Sequence, residues 1–190
     1  MRRSGLRAVG FVALLACAGG LGGCGGKEGY GDLQRPPRPA AMDAYAPFVG
    51  SWTWEADMTI RNQDPRRWTG TADWRWTLDD RQLAGRMSAS SGDQAFESEG
   101  MWGLNPSSGR YVWWMFNNWG YPQHGTARYK AADRCWTMRY KSVGLDGTTS
   151  YGRYALRFLD DNTIDWCMTE WLDPFHLIQK VEMKGTYRRK

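Results

Sequence analysis

Hydrophobic and polar residues alternate along most of the chain. Trp52, Trp54, Ala56, Met58 and Ile60 share one parity, and Ser51, Thr53, Glu55, Asp57 and Thr59 share the other. Trp68, Gly70, Ala72, Trp74, Trp76 and Leu78 repeat the pattern against Thr69, Thr71, Asp73, Arg75 and Thr77. A period of two predicts β-strands with one face in a core and one in water. Leu83, Gly85, Met87 and Ala89 form a third such set. Turn residues separate the three, at Asn62–Pro65, Asp79-Asp80 and Ser91–Asp93. Further strands are expected at Phe96–Leu104, Arg110–Asn117, Gly125–Ala131, Cys135–Lys141, Ser150–Leu159, Thr163–Trp171 and Ile178–Arg188. The Arg110–Asn117 strand is apolar on both faces, with Val112, Trp114 and Phe116 against Tyr111, Trp113 and Met115. No segment sustains a helical period.

About ten short strands on hairpin-length connections imply an all-β fold, an antiparallel up-and-down barrel. A sheet of that size curls, and closure removes its exposed edges. A transmembrane barrel would alternate in the same way. Here the face opposite the tryptophans carries Glu55, Asp57, Asp73 and Arg75, which is costly against lipid.

Twelve tryptophans among 190 residues and a mean hydropathy of −0.64 make the chain aromatic and polar rather than aliphatic. Phe48-Val49-Gly50-Ser51-Trp52 resembles the Gly-x-Trp signature that opens lipocalin-like (calycin) barrels. The resemblance extends to an uncharacterised family of bacterial secreted lipocalin-like proteins. Those carry a strand like Glu99–Pro106 followed by an aromatic strand like Tyr111–Trp114. It implies a barrel whose Trp52 crosses the closed end, near Arg188 or Arg189 from the last strand. It implies no activity. Haem-binding barrels of similar shape show Gly-x-Trp-x-Gly-x-Gly, where this chain has Gly50-Ser51-Trp52-Thr53-Trp54-Glu55. No cofactor is implied.

The N-terminus reads as an export signal. Arg2, Arg3 and Arg7 precede the apolar run Ala8–Ala16, too short to span a bilayer. Leu21-Gly22-Gly23-Cys24 resembles the bacterial lipobox, so residues 1–23 would be removed and Cys24 would carry the lipid. A rival cut before Cys17 would put bulky Leu15 at −2, and an ordinary secretory signal ending near a cysteine is the plainer alternative. Gly25 rather than Asp follows Cys24, which favours the outer membrane, facing the periplasm. Residues 24–46 are expected to be a tether, rich in Gly and Pro, with a helical turn near Ala40–Ala46. It would reach on the order of 25–60 Å. Residues 47–190 would be the barrel. Without the three leader arginines the charge of +5 falls to +2, and Arg188, Arg189 and Lys190 supply +3 at the C-terminus. That balance gives no nucleic-acid surface.

The candidate site is the tryptophan column: Trp52, Trp54, Trp74, Trp76, Trp114, Trp136 and Trp166. It would line a pocket for a small apolar or aromatic ligand, or else simply fill the core. The loop Asn117–Gly125 adds Trp119, Tyr121 and His124 as a rim. His124 and His176, with Asp173, are the candidates for general base and orienter in a hydrolase or isomerase. Glu97 and Glu99 share a strand face, as a solvated pair or an acid–base pair. No cluster has metal-ligand spacing, and no catalytic residue is assigned. Cys135 and Cys167 fall two strands apart, near 10 Å by strand spacing, beyond the ~7 Å a disulfide allows, so both thiols should be free. The competing non-enzymatic function is a packed scaffold that contacts another envelope protein. It would have no cavity and an exposed aromatic patch around Trp119 and Tyr121.

Overall fold

Ten strands follow one another around a closed barrel in the computed structural model, which describes residues 36–190. They are β1 (Gly50–Ile60), β2 (Arg66–Thr77), β3 (Gln82–Ser91), β4 (Gln94–Asn105), β5 (Arg110–Asn117), β6 (Gln123–Lys130), β7 (Cys135–Val143), β8 (Thr149–Phe158), β9 (Thr163–Trp171) and β10 (Gln179–Arg189). Every neighbouring pair is antiparallel, and β10 returns to β1 with Trp52 opposite Arg189 and Ile60 opposite Val181. The fold is therefore all-β and up-and-down, as the alternation predicts. Cys24 and the leader lie outside the described residues.

The alternation sets the faces. Trp52, Trp54, Ala56 and Met58 are buried on β1, while Glu55 and Asp57 are exposed and pair with Arg67 across the outer surface. Such exposed ion pairs add little stability. What holds the barrel is its aromatic interior, together with ladders that leave no free edge.

The two ends differ. At one end a 3-10 helix, Ala40–Phe48, plugs the barrel. A repeat of three residues per turn stacks Met42, Tyr45 and Phe48 on one face, and all three are buried. Tyr45 stacks on Trp136 with ring centroids 4.4 Å apart, and Phe48 meets Phe158 edge to face at 4.9 Å. This corrects the tether boundary. Residues Ala40–Ala46 belong to the folded body, because three apolar side chains at that spacing have a core to enter.

Trp52 lies across this end, fully buried, and its indole N–H donates to the Phe48 carbonyl at 2.8 Å. Arg189 covers its ring at 4.3 Å and donates to the carbonyls of Val49 and Pro47. Arg189, not the exposed Arg188, thus takes the position that the lipocalin resemblance implies. Gly50 completes the closure. Its φ is +128°, and a Cβ there would lie 2.7 Å from Arg189 Nη1.

Candidate functional site

Above the helix plug the interior opens into a cavity of about 600 Å³. Tyr45 and Phe48 form its floor. Ile60, Gln63, Arg66, Gln94, Trp119, Tyr121 and Lys180 line it at the opposite end, where the hairpin turns β1–β2, β3–β4, β5–β6, β7–β8 and β9–β10 gather. The volume is that of a small-molecule site.

Of the column, Trp54, Trp74 and Trp166 wall the cavity. Trp54 meets Trp166 edge to face at 5.9 Å, and both tilt against Tyr187. Four members of the predicted set lie elsewhere. Trp52 is part of the closed end. Trp136 is buried beneath the helix, between Tyr45 and Tyr129. Trp76 sits half-buried under the Arg38 guanidinium, 4.8 Å from it. Trp114 is exposed on the outer face. Its neighbour Trp113 is the buried one and faces the cavity. Because β5 is apolar on both faces, alternation alone could not set its parity. Trp68, Trp102, Tyr154, Tyr187 and Met168 also line the cavity without having been singled out. Each sits on the inward parity of its strand, which was the available signal.

Trp119 and Tyr121 do reach the mouth. Asn117 receives the Trp119 backbone N–H on Oδ1 and gives a hydrogen bond to the Tyr121 carbonyl, so the amide shapes the loop. Trp119 folds over the rim against Phe96 and Trp68, its indole N–H on the Ala95 carbonyl at 3.1 Å. It packs onto the rim through these contacts while staying 39% exposed.

The histidines do not converge. His124 is exposed on the outer face of β6, opposite Trp114 and Lys141. His176 lies in the β9–β10 loop with φ +63°, its ring stacked on Trp171 at 4.2 Å. Neither lines the cavity. Asp173 is spent on the loop backbone, accepting from the N–H groups of Phe175, Leu177 and Ile178. This removes the geometric basis for a His-bearing catalytic rim. Glu97 and Glu99 flank Arg86 on the outer surface. Cys135 and Cys167 are free and half-buried, on strands β7 and β9 with β8 between them.

The polar chemistry of the cavity centres on Glu170, which sequence reading passed over. It follows Ile164, Trp166 and Met168 on the inward parity of β9 and is 8% exposed. A buried carboxylate needs partners. Tyr140 donates to Oε2 at 2.8 Å and Lys180 to Oε1 at 3.0 Å. The strands supply this geometry. Tyr140, Gly152 and Glu170 stand directly opposite one another on β7, β8 and β9. The Tyr140 ring crosses over Gly152, where a Cβ would come within 1.9 Å of it. Lys180 sits where the β9–β10 register shifts between Gln179 and Val181. The bulge turns a side chain that regular alternation would send outward.

Desolvation raises the Tyr140 phenol well above its ordinary range, aided by Tyr154 and Glu170. Tyr121 is pushed up to about 12, first by burial and then by the Glu170 charge. Tyr154 and Tyr187 rise through burial as well. These phenols stay protonated and act as neutral donors. Gln123 Oε1 and the indole N–H groups of Trp54, Trp68, Trp113 and Trp166 have no protein partner. The wall is thus aromatic and apolar, with one paired carboxylate just inside the mouth.

No protein-family model matches the chain, and no curated protein matches it. Solved structures do. Rv2717c from M. tuberculosis has a TM-score of 0.62 at 11% identity, covering 81% of this chain and 99% of its own. The S-type phycobiliprotein lyase CPES from Guillardia theta has a TM-score of 0.55 at 11% identity, covering 80% and 94%. At such identity the likeness concerns the backbone: this chain folds as a calycin-like, ten-stranded barrel.

Proposed function

We propose that this protein is a lipid-anchored protein of the cell envelope whose barrel holds a small apolar or aromatic molecule. The observation that carries the ligand reading is the cavity of about 600 Å³ above the Tyr45–Phe48 floor, walled by Trp54, Trp74, Trp113 and Trp166. Eight strands make a barrel just wide enough to fill with side chains, and ten leave room. Wall atoms without neighbours forgo dispersion contacts, so an interior kept open costs stability that a ligand would restore. Aromatic walls with a few placed polar groups suit a flat or flexible apolar body.

Fluorescence titration of the purified chain with an environment-sensitive aromatic probe tests this. Saturable quenching of tryptophan emission, abolished by Trp54→Ala with Trp166→Ala, is expected. Absence of any saturable signal across apolar and aromatic probes would refute it. The anchor rests on Leu21–Cys24. Labelled palmitate should enter the chain in cells and fail to enter a Cys24→Ser variant. A Cys24→Ser chain that still partitions with membranes would remove the anchor and leave the ligand reading intact.

A further inference from the structure

We propose that the bound molecule carries a hydrogen-bond-donating head, best a protonated amine, seated on the Glu170 carboxylate with its apolar body on the aromatic floor. This rests on the reading of the cavity as a ligand site and names the chemistry of that ligand.

Glu170 is the only acidic side chain among those lining the cavity, and it stands near the mouth end of β9. On β9 the cavity lining runs four residues, from Glu170 to Trp166, roughly 13 Å at strand rise. A ligand entering apolar end first would therefore leave its head beside the carboxylate. A carboxylate offers about four acceptor sites. Tyr140 and Lys180 each take one. Gln123, 5% exposed on β6 and three strands round the barrel from Glu170, adds an amide oxygen with no protein partner. Both groups ask for donors.

Lys180 marks the place of the head. Its ammonium is 3.0 Å from Glu170 Oε1, yet its side chain is 40% exposed at the rim. Returning to water costs such a lysine little. A ligand ammonium, held there by its own buried tail, would replace it without leaving Glu170 unpaired. The neutral phenols and the unpartnered indole N–H groups of the wall are donors, but none carries the full positive charge that would hold an anionic head. The cations among the lining residues are Lys180, already engaged, and Arg66, exposed at the mouth.

The test is a tryptophan-fluorescence titration of the whole chain with dodecylammonium, dodecanol and dodecanoate, which share a tail and differ in the head. Dodecylammonium should bind at least about tenfold tighter than dodecanoate, a difference of ~1.4 kcal/mol. Glu170→Gln should bring the two within about twofold and leave dodecanol unchanged, and Lys180→Met should tighten dodecylammonium alone. If Glu170→Gln does not fold, the ranking in the unaltered chain and the Lys180→Met response carry the test. Equal binding of all three overturns the head assignment while the cavity reading stands. Tightest binding of dodecanoate overturns it in favour of Lys180 and Arg66 as an anion site. Binding of none overturns the cavity reading itself.

Discussion

The guanidinium of Arg189 lies 4.3 Å over the ring of Trp52 and joins the last strand to the first at the closed end of the barrel. It donates to the carbonyls of Val49 at 2.6 Å, Pro47 at 2.7 Å and Asp161 at 3.1 Å. Charged donors on partly buried carbonyls are worth about 1.5–3 kcal/mol, and the stacking adds about 1. Arg189→Ala is expected to cost about 3 kcal/mol, and Arg189→Lys most of that, since an ammonium lacks the planar fork. Arg188→Ala, one residue away and exposed, should stay within about 0.5 kcal/mol. Urea denaturation of the three variants checks this. Equal loss from Arg188→Ala would contradict it.

Removing the plug should harm both stability and binding. Tyr45 is buried, stacked on Trp136 and edge-on to Tyr111 at 5.3 Å. Truncating a buried aromatic to Ala costs about 3–5 kcal/mol. Tyr45→Ala should therefore lower the denaturation midpoint sharply and weaken probe binding, because the floor loses its seal. A tether has no such sensitivity. A Tyr45→Ala protein as stable as the parent would return Ala40–Ala46 to the linker.

The strands were legible because side chains alternate against a single wet face, and β1, β2 and β3 show it without ambiguity. Three features were not. The parity of β5 was undetermined, since Trp113 and Trp114 are equally apolar and only the ladder to β4 and β6 decides between them. The helical turn at Ala40–Ala46 was expected, but not its role as a plug, because Met42, Tyr45 and Phe48 repeat every three residues, a spacing too brief to register as a buried face. Lys180 could not be placed, because a bulge breaks the alternation that would have located it. Glu170 was different. Its place after Ile164, Trp166 and Met168 put an acid on the core face, and that conflict between pattern and residue type was visible in the sequence.

Trp113 and Trp114 give a direct contrast. Trp113 is 2% exposed and faces the cavity, while Trp114 is 47% exposed on the opposite side of the same strand. Trp113→Ala should cost about 3–5 kcal/mol by leaving a void and should alter probe affinity. Trp114→Ala should change stability by no more than about 0.5 kcal/mol and leave affinity untouched. Paired titration and denaturation measurements separate them. A loss of binding in Trp114→Ala alone would mean that β5 is inverted.

Alkaline pH should unfold the barrel through its buried phenols. Tyr45, Tyr140, Tyr154 and Tyr187 are held far above the ordinary tyrosine range by desolvation, and Tyr121 is raised to about 12. Below about pH 10 the folded and unfolded chains both keep these protons, so pH has little leverage. Above it the unfolded chain releases them while the folded chain retains them. The folded state then binds more protons, and stability falls as pH rises, by roughly 1.4 kcal/mol per pH unit for each retained proton. The stabilisation is thus complete below the unfolded pKa and is lost upward from it. Absorbance at the phenolate band should show these tyrosines ionising in one cooperative step that coincides with loss of the β-sheet circular dichroism signal. Ionisation of all five near pH 10, with the sheet signal unchanged, would show that the interior is open to water.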